Sequence, residues 1–416
     1  MSTTCIAPTA SDVRLSTHPQ RWAYGLLLAL LALALGVSAL PSPLYPIYQA
    51  QWHLTPLSTT IVFAVYAVGA LGATLTAGPI SDSIGRKPVL LAAVGTIAVG
   101  MVIFLLAGAE WELLVARFLH GAAIGSITVV AGAALLDVRP HDGAGNGMRA
   151  GVALNVGMVL TVLGASFAAQ WAPAPLRTPF IIVGLVCVVA LVAVALMAEP
   201  HTAPTHAPIR FRRPSVPGEI AGDFLFSGAG ILSAWSVLGV FLSLYPALAG
   251  QTTGVHSVVF GGGVVALMAG TAAATQWLGG RFPALPTAIA GDAGMVVALA
   301  LAVTAVRTGS WPLVLADSAL LGMTFGLAFG GSLRHLAAVT PGHARGRVMS
   351  AFYLLGYLAM GVPTVIAGYL STVYSTRAVF PWFAAGVAVA CAAAGTIGVI
   401  ASRPFGARAA TSRSGR

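Results

Sequence analysis

Apolar residues in this chain fall into runs of about twenty, separated by short polar gaps. A helix of about twenty apolar residues spans the hydrocarbon core of a bilayer. Twelve such runs lie near 22–43, 58–79, 88–107, 112–136, 147–170 and 178–198, then 219–246, 256–279, 285–305, 312–333, 346–370 and 378–400. Gly261–Gly263 and Pro283–Pro286 weaken the helical signal of the eighth and ninth. The pattern predicts an all-α membrane protein with twelve transmembrane helices.

Composition agrees with that pattern. Of 416 residues, 57% are apolar and 8% are charged, against roughly 25% charged in soluble domains. That leaves too little charge to solvate the two or three domains a soluble chain of this length would form. The formal charge of +10 does not point to nucleic acid, because the basic residues sit in gaps between apolar runs and form no stripe. Cys5, Cys187 and Cys391 are far apart, have no metal spacing and read as small hydrophobes. The first run is longer than a signal-peptide core and lacks a small-residue cleavage site, so it reads as a retained helix.

Positive charge sets an expected orientation. With the N-terminus inside, the cytoplasmic segments hold Arg14, Arg21, Arg86, Lys87, Arg139, Arg149, Arg210, Arg212, Arg213, Arg281, Arg334, Arg345, Arg347 and four tail arginines, seventeen of the 21 basic residues. The other side holds Arg177, Arg307 and Arg377, and Arg117 falls within a span. A bias of seventeen to three predicts cytoplasmic termini. The Arg- and Ala-rich, Lys-poor composition suggests a GC-rich bacterial genome and therefore a bacterial inner membrane.

The longest polar interruption, 199–218, carries Pro204, Pro208, Pro214 and Pro217, His201 and His206, and the Arg210–Arg213 cluster. It reads as a cytoplasmic linker between six-helix bundles at 22–198 and 219–400, with tails at 1–21 and 401–416. Its basic cluster fits the orientation bias or a phospholipid contact. The halves look like a diverged repeat. Trp111 and Trp311 open the fourth and tenth spans two hundred residues apart, and Arg117 matches Asp317 at that offset. Two such halves describe one major class of secondary transporters, in which they rock about a central site.

Between the second and third spans stands Gly78-Pro79-Ile80-Ser81-Asp82-Ser83-Ile84-Gly85-Arg86-Lys87. Gly85 permits a tight turn, Arg86 and Lys87 sit at a membrane edge, and Asp82 can pair with them or with a helix N-terminus. The segment resembles the loop signature of the major facilitator superfamily (MFS) through Gly78, Asp82, Gly85, Arg86 and Lys87. Ser83 departs from the usual basic residue. The resemblance implies the MFS fold, in two pseudo-symmetric six-helix bundles. It also implies a conformational latch from Asp82 to the start of the eleventh helix, near Arg345–Ser350. Plain turn-and-anchor chemistry is the alternative.

The fourth span reads Arg117-Phe118-Leu119-His120-Gly121, similar to the Arg-x-x-Gln-Gly of drug/proton antiporters, with His120 in the glutamine position. The resemblance makes Arg117 a proton-coupling or substrate residue; snorkelling to the interface is the alternative. His120 lies one turn further in and titrates near neutrality when unperturbed, although such a histidine can simply bond a neighbouring helix. The fifth span should carry the antiporters' glycine ladder and Gly-Pro pair. It keeps Gly157 and Gly164 but has Thr161-Val162 in place of the pair. Gly361 and Pro363 make the eleventh span a related hinge, where proline should kink the helix or free a carbonyl. Pro41, Pro43 and Pro46, in a segment similar to one found in superfamily members without assigned substrates, force a non-helical exit from the first span.

Few acids fall within spans. Asp317 is a candidate partner for Arg117 across the cavity, where its protonation would release the arginine. Asp223 is a second coupling candidate; it and Asp292 lie nearer the cytoplasmic edge, where hydration suffices. Asn155, Trp235 and Gln276 are cavity candidates, although such residues more often serve as interhelical hydrogen bonders. The chain lacks a phosphate-binding Gly-x4-Gly-Lys-Ser/Thr loop, so ATP is not its direct energy source. Without His-Glu-x-x-His or Gly-x-Ser-x-Gly an intramembrane enzyme is disfavoured, and charges at mid-cavity disfavour a channel. No cofactor is expected. The reading is a monomeric, proton-driven secondary transporter exporting small amphipathic or drug-like compounds; the alternative is a proton-coupled importer of a small metabolite.

Overall fold

A computed structural model describes residues 21–140, 142–201, 214–342 and 344–402. Much of the 199–218 linker, with its basic cluster, lies outside the described residues, as do most of the 1–21 and 401–416 tails. The helices are α1 (Arg21–Ala39), α2 (Tyr45–Trp52), α3 (Pro56–Ile84), α4 (Arg86–Leu106), α5 (Glu110–Val138), α6 (Gly143–Trp171), α7 (Thr178–Leu196), α8 (Ala221–Ser243), α9 (Tyr245–Thr253), α10 (Val258–Gly279), α11 (Ala284–Thr308), α12 (Trp311–Val339), α13 (Arg345–Tyr374) and α14 (Thr376–Ser402). Among the described residues twelve spans are long and apolar enough to cross a membrane.

Local chemistry marks many of the boundaries. Thr55 caps α3 by accepting from the Ser58 N–H at 3.0 Å, and Ser257 caps α10 by accepting from the Phe260 N–H at 3.3 Å. Prolines occupy the first turns of α3, α7 and α12, where no N–H is needed. At the start of α6 the Arg149 guanidinium, 2.5 Å from Asp142, holds that exposed carboxyl below the usual carboxylate range.

The prolines at 41–46 interrupt the first span without ending it, which corrects the expected non-helical exit. A single 3₁₀ turn, Ser42–Leu44, joins α1 to α2, because Pro46 falls in the first turn of α2, where its missing N–H costs nothing. The seventh span breaks in the same way, between α8 and α9 at Leu244. Leu44-Tyr45-Pro46 and Leu244-Tyr245-Pro246 stand two hundred residues apart, the offset of the repeat. The glycines that weakened the eighth span let it pack closely: a Cβ on Gly262 would overlap the Ser166 hydroxyl of α6.

Packing repeats across the halves. In the N-terminal half α3 and α4 lie on α5, α1 on α6 and α4 on α7. In the C-terminal half α10 and α11 lie on α12, α8 on α13 and α11 on α14. The halves meet where α3 crosses α13 and α6 crosses α10, two crossings that the repeat makes equivalent. Large apolar side chains, including Leu106, Val189 and Trp382, remain exposed on the outside, as lipid contact requires.

Twelve crossings bring the chain back to the face on which α1 begins, here the terminal face. Toward the far face, hydrogen bonds tie the halves together. The Ser42 hydroxyl donates to the Leu242 carbonyl at 2.6 Å, the Leu57 N–H to the Thr372 hydroxyl at 3.0 Å, and the Val258 N–H to the Gln170 amide oxygen at 2.8 Å.

Candidate functional site

Trp235 stands where the two halves meet. Its ring packs against the hydrophobic cores of both. Tyr357 meets it edge-on at 5.0 Å, Phe329 lies at 5.9 Å and Tyr353 at 6.3 Å. Gly356 makes room for the indole, since a Cβ there would lie 3.0 Å from it. Tyr357 in turn is part of the buried apolar cluster of the N-terminal half, so the cage reaches into that half. Aromatic faces and phenol hydroxyls together suit an amphipathic guest.

Arg117 is wholly buried in α5, so it does not reach an interface by snorkelling. Its Nη1 donates to the Ser38 carbonyl at 2.9 Å. That carbonyl lies in the last turn of α1, where helical partners run out and the helix dipole is negative. The rings of Tyr66 and Phe63 cover the guanidinium at 4.8 and 5.6 Å. Nε and Nη2 have no hydrogen-bond partner, nor does the nearby Tyr45 hydroxyl, which lies within electrostatic reach.

The expected pairing of Arg117 with Asp317 is not made. The buried Asp317 accepts instead from the Tyr245 hydroxyl at 2.8 Å, and its Oδ1 is unpartnered. Tyr245 is stacked on Phe241 at 4.0 Å. The repeat thus places Arg117 near Tyr45 in one half and Asp317 against Tyr245 in the other, two charges of opposite sign, each engaged with its own half. His120 lies against a neighbouring helix. It stacks on Phe104 of α4 at 5.4 Å, which stacks on Phe180 of α7 at 4.6 Å, and Gly100 leaves room for its ring. The histidine ring therefore packs on α4, with Arg117 still within electrostatic reach.

On the terminal face the Gly78–Lys87 loop forms a charge cluster. Arg86 is buried, with Asp82 at 2.5 Å, Asp137 at 3.0 Å and the Ser81 hydroxyl at 2.6 Å. Asp82 is engaged here by Arg86 of its own half, and Arg345 donates to the Ala337 carbonyl within the other half. The Glu199 carboxylate closes the open end of α4, accepting from the backbone N–H groups of Arg86 at 2.8 Å and Lys87 at 3.0 Å. Gly85 adopts φ 102°, and a Cβ there would lie 2.7 Å from that carboxylate. Lys87 Nζ reaches the Ala195 carbonyl at 2.7 Å, tying α4 to the end of α7. Replacing Glu199 with glutamine should lower stability by about 1 kcal/mol, the worth of a capping carboxylate. Thermal unfolding in detergent checks this; an unchanged midpoint would count against the cap.

The sequence profile of the Major Facilitator Superfamily matches residues 26–283. The chain belongs to the Major Facilitator Superfamily. This superfamily transporter is 27% identical over 343 residues to the uncharacterized MFS-type transporter YceJ of Bacillus subtilis (strain 168), covering 79% of this chain and 84% of that one. An 89-residue segment is 39% identical to the multidrug resistance protein MdtL of Klebsiella pneumoniae (strain 342), 21% of each chain. The chain thus matches about a fifth of that relative's length. Among solved structures, a bacterial homolog of the human lysosomal transporter Spinster, inward-facing and occupied, superposes with TM-score 0.72 at 14% identity, over 94% of this chain and 98% of that one. The human organic anion transporter MFSD10 superposes with TM-score 0.66 at 17% identity, over 92% and 100%. These structures share its fold.

The remaining candidates of this superfamily member are spread along its helices. Asn155 donates to the Gly151 carbonyl of its own helix at 2.9 Å. Gln276 lies where α10 meets α6 and α12, against Gly151 and Gly330. A Cβ on Gly157 would overlap the Ala32 backbone of α1, whereas Gly164 faces open space and Gly361 is in ordinary contact with Ala64 of α3. Pro363 sits inside a continuous α13. Its missing N–H frees the Ala359 carbonyl, which accepts from the Ser236 hydroxyl of α8 at 3.1 Å. Asp223 meets His335 Nε2 at 2.8 Å.

Sequence reasoning missed Tyr45, Tyr245, Asp137, Glu199 and His335. The repeated Leu-Tyr-Pro signalled the first two. The others carry no signal, because long-range folding alone makes them neighbours of the motif residues.

Proposed function

We propose that this transporter exports small amphipathic or drug-like compounds in exchange for protons, by alternating access from a bacterial inner membrane with both termini in the cytoplasm. The seventeen-to-three charge bias supports that orientation. The terminal face is then cytoplasmic, and the hydrogen bonds at Ser42, Leu57 and Gln170 tie the halves together toward the outer face, which supports an inward-facing state. The Asp82 latch to the start of α13 belongs to the opposite state.

The observation that carries the reading is the Trp235 cage. Four aromatic rings at the junction of the halves offer an apolar guest π-faces and phenol hydroxyls. Arg117, with two spare donors beneath Tyr66, supplies an acceptor-seeking end. The MdtL segment points the same way. Asp317 and Asp223 are coupling groups on this reading, and Gly157 and Gly361 with Pro363 are the packing points about which the helices move.

Everted vesicles from an efflux-deficient host, energised to be acid inside, test this with a panel of aromatic amphipathic dyes. Gradient-dependent accumulation is expected, weakened about tenfold in apparent affinity by Trp235→Ala, on the order of 1.4 kcal/mol for the lost stacking. Asp317→Asn should abolish its pH-dependence. No accumulation of any dye, with the protein verified in the membrane, would sink export. Uptake only in right-side-out vesicles would favour an importer.

A further inference from the structure

The cage leaves one buried acid unused. Asp292, in α11, was expected near a hydrated edge, yet it is wholly buried and neither carboxylate oxygen has a hydrogen-bond partner. The Ser332 and Ser227 hydroxyls are likewise buried and lack partners. Gly230 of α8 shows how two of these groups are placed. A Cβ there would lie 2.6 Å from Ser332 Oγ and 3.8 Å from Asp292 Oδ1, so both polar atoms border the space that glycine leaves open.

This spot continues toward the terminal face. Asp223, Ser227 and Gly230 recur at intervals of four and three, one face of α8. Ser332 stands three residues before His335 on α12, one turn apart on a shared face. The Asp223–His335 pair, 2.8 Å between Oδ1 and Nε2, closes the file with side chains 32% and 14% exposed. On the other side the buried Cys391 of α14 lies within electrostatic reach of Asp292. Cys391 is thus the titratable group within reach of that carboxyl, while Asp223 and His335 lie two turns and one turn away along the faces of α8 and α12 that border the same space. Arg334 turns away to the Phe282 carbonyl at 3.0 Å.

An unpaired charge at this depth is costly, and a carboxyl group there needs either its proton or a bound cation. We propose that Asp292 is an occluded proton-binding site inside the C-terminal half, loaded from the terminal face through Asp223, His335 and the hydroxyls of Ser227 and Ser332, and separate from the Trp235 cage. Its role in coupling rests on the proton-driven reading above; proton binding itself does not. The hydroxyls and the imidazole can pass a proton by hydrogen-bond exchange, and the interior of the half screens the acid from the substrate's path.

pH-difference infrared spectra of the purified full chain in detergent test this without transport. Wild type should show a titrating carboxylic-acid C=O band with a component that Asp292→Asn removes and Asp317→Asn keeps. Ser332→Ala, which leaves the carboxyl in place, should shift that component. The double variant Asp223→Asn, His335→Ala should slow its deuterium exchange at least tenfold. A spectrum unchanged by Asp292→Asn, or a component unmoved by Ser332→Ala, overturns the site. Loss of the component on replacing choline chloride with sodium chloride would make it a sodium site and overturn the proton assignment. If the band behaves as expected while vesicle transport ignores the pH gradient, the coupled-export reading fails and the proton site stands.

Discussion

Gly121→Leu is expected to abolish stable folding of the N-terminal half. At this crossing a Cβ would overlap the Tyr66 carbonyl of α3, and the reciprocal contacts are as tight, with Gly69 against the Phe118 carbonyl and Gly125 against that of Ala70. Such contacts are backbone against backbone, so no side-chain rotation relieves them. Exchange of glycine for leucine gains about 1 kcal/mol in helix propensity. Overpacking costs roughly 3 kcal/mol or more when a helix must move, so the net effect is destabilising. Separating α3 from α5 would also lift Tyr66 from Arg117. The checks are yield of monodisperse protein and thermal unfolding in detergent. Gly95→Ala, where nothing lies within 4 Å, is the control and should be neutral or slightly stabilising. A wild-type melting midpoint for Gly121→Leu would refute the packing argument.

Arg117→Gln is expected to lower transport about a hundredfold while leaving the fold as stable as before, or more so. The guanidinium is buried with two unpartnered nitrogens and one carbonyl partner. Burying such a charge is costly, and a neutral side chain of similar length removes that cost. A residue whose removal stabilises the protein is there for another reason. A hundredfold loss corresponds to about 3 kcal/mol of differential interaction, the size of a charge-assisted hydrogen bond. Arg117→Lys should not rescue transport, because an ammonium cannot both stack under Tyr66 and keep free donors in the guanidinium plane. Rates in proteoliposomes and melting curves decide. Transport kept near wild type with a lowered melting midpoint would reduce Arg117 to a structural anchor.

Much of the architecture was legible from the chain alone. The length and apolarity of the runs predicted twelve crossings, because a bilayer demands about twenty apolar residues each time and satisfies no backbone polar group. The Gly78–Lys87 loop pointed to the superfamily, since a tight turn with flanking charges is a local feature. The prolines at 41–46 were read as an exit because chain chemistry shows what proline removes, not that the next turn resumes a helix.

The site was legible only in its parts. Sequence named Arg117, Asp317, Asp82 and Trp235, and spacing put Arg117 and Asp317 at equivalent positions of a repeat. It could not say which way each side chain turns. Arg117 and Asp317, natural partners by charge, each engage their own half, Arg117 bonding the Ser38 carbonyl beside Tyr45 and Asp317 taking the Tyr245 hydroxyl. His120, three residues from Arg117, faces other helices. Asp292, eight residues into its helix, is enclosed rather than hydrated. What the sequence determined was the number of crossings, the repeat and the charge bias, because each depends on transfer between water and lipid one segment at a time. What the tertiary structure decided was which buried charge meets which partner, because that depends on the rotation of each helix against its neighbours, set by contacts such as Gly121 on Tyr66 that lie far apart in the chain.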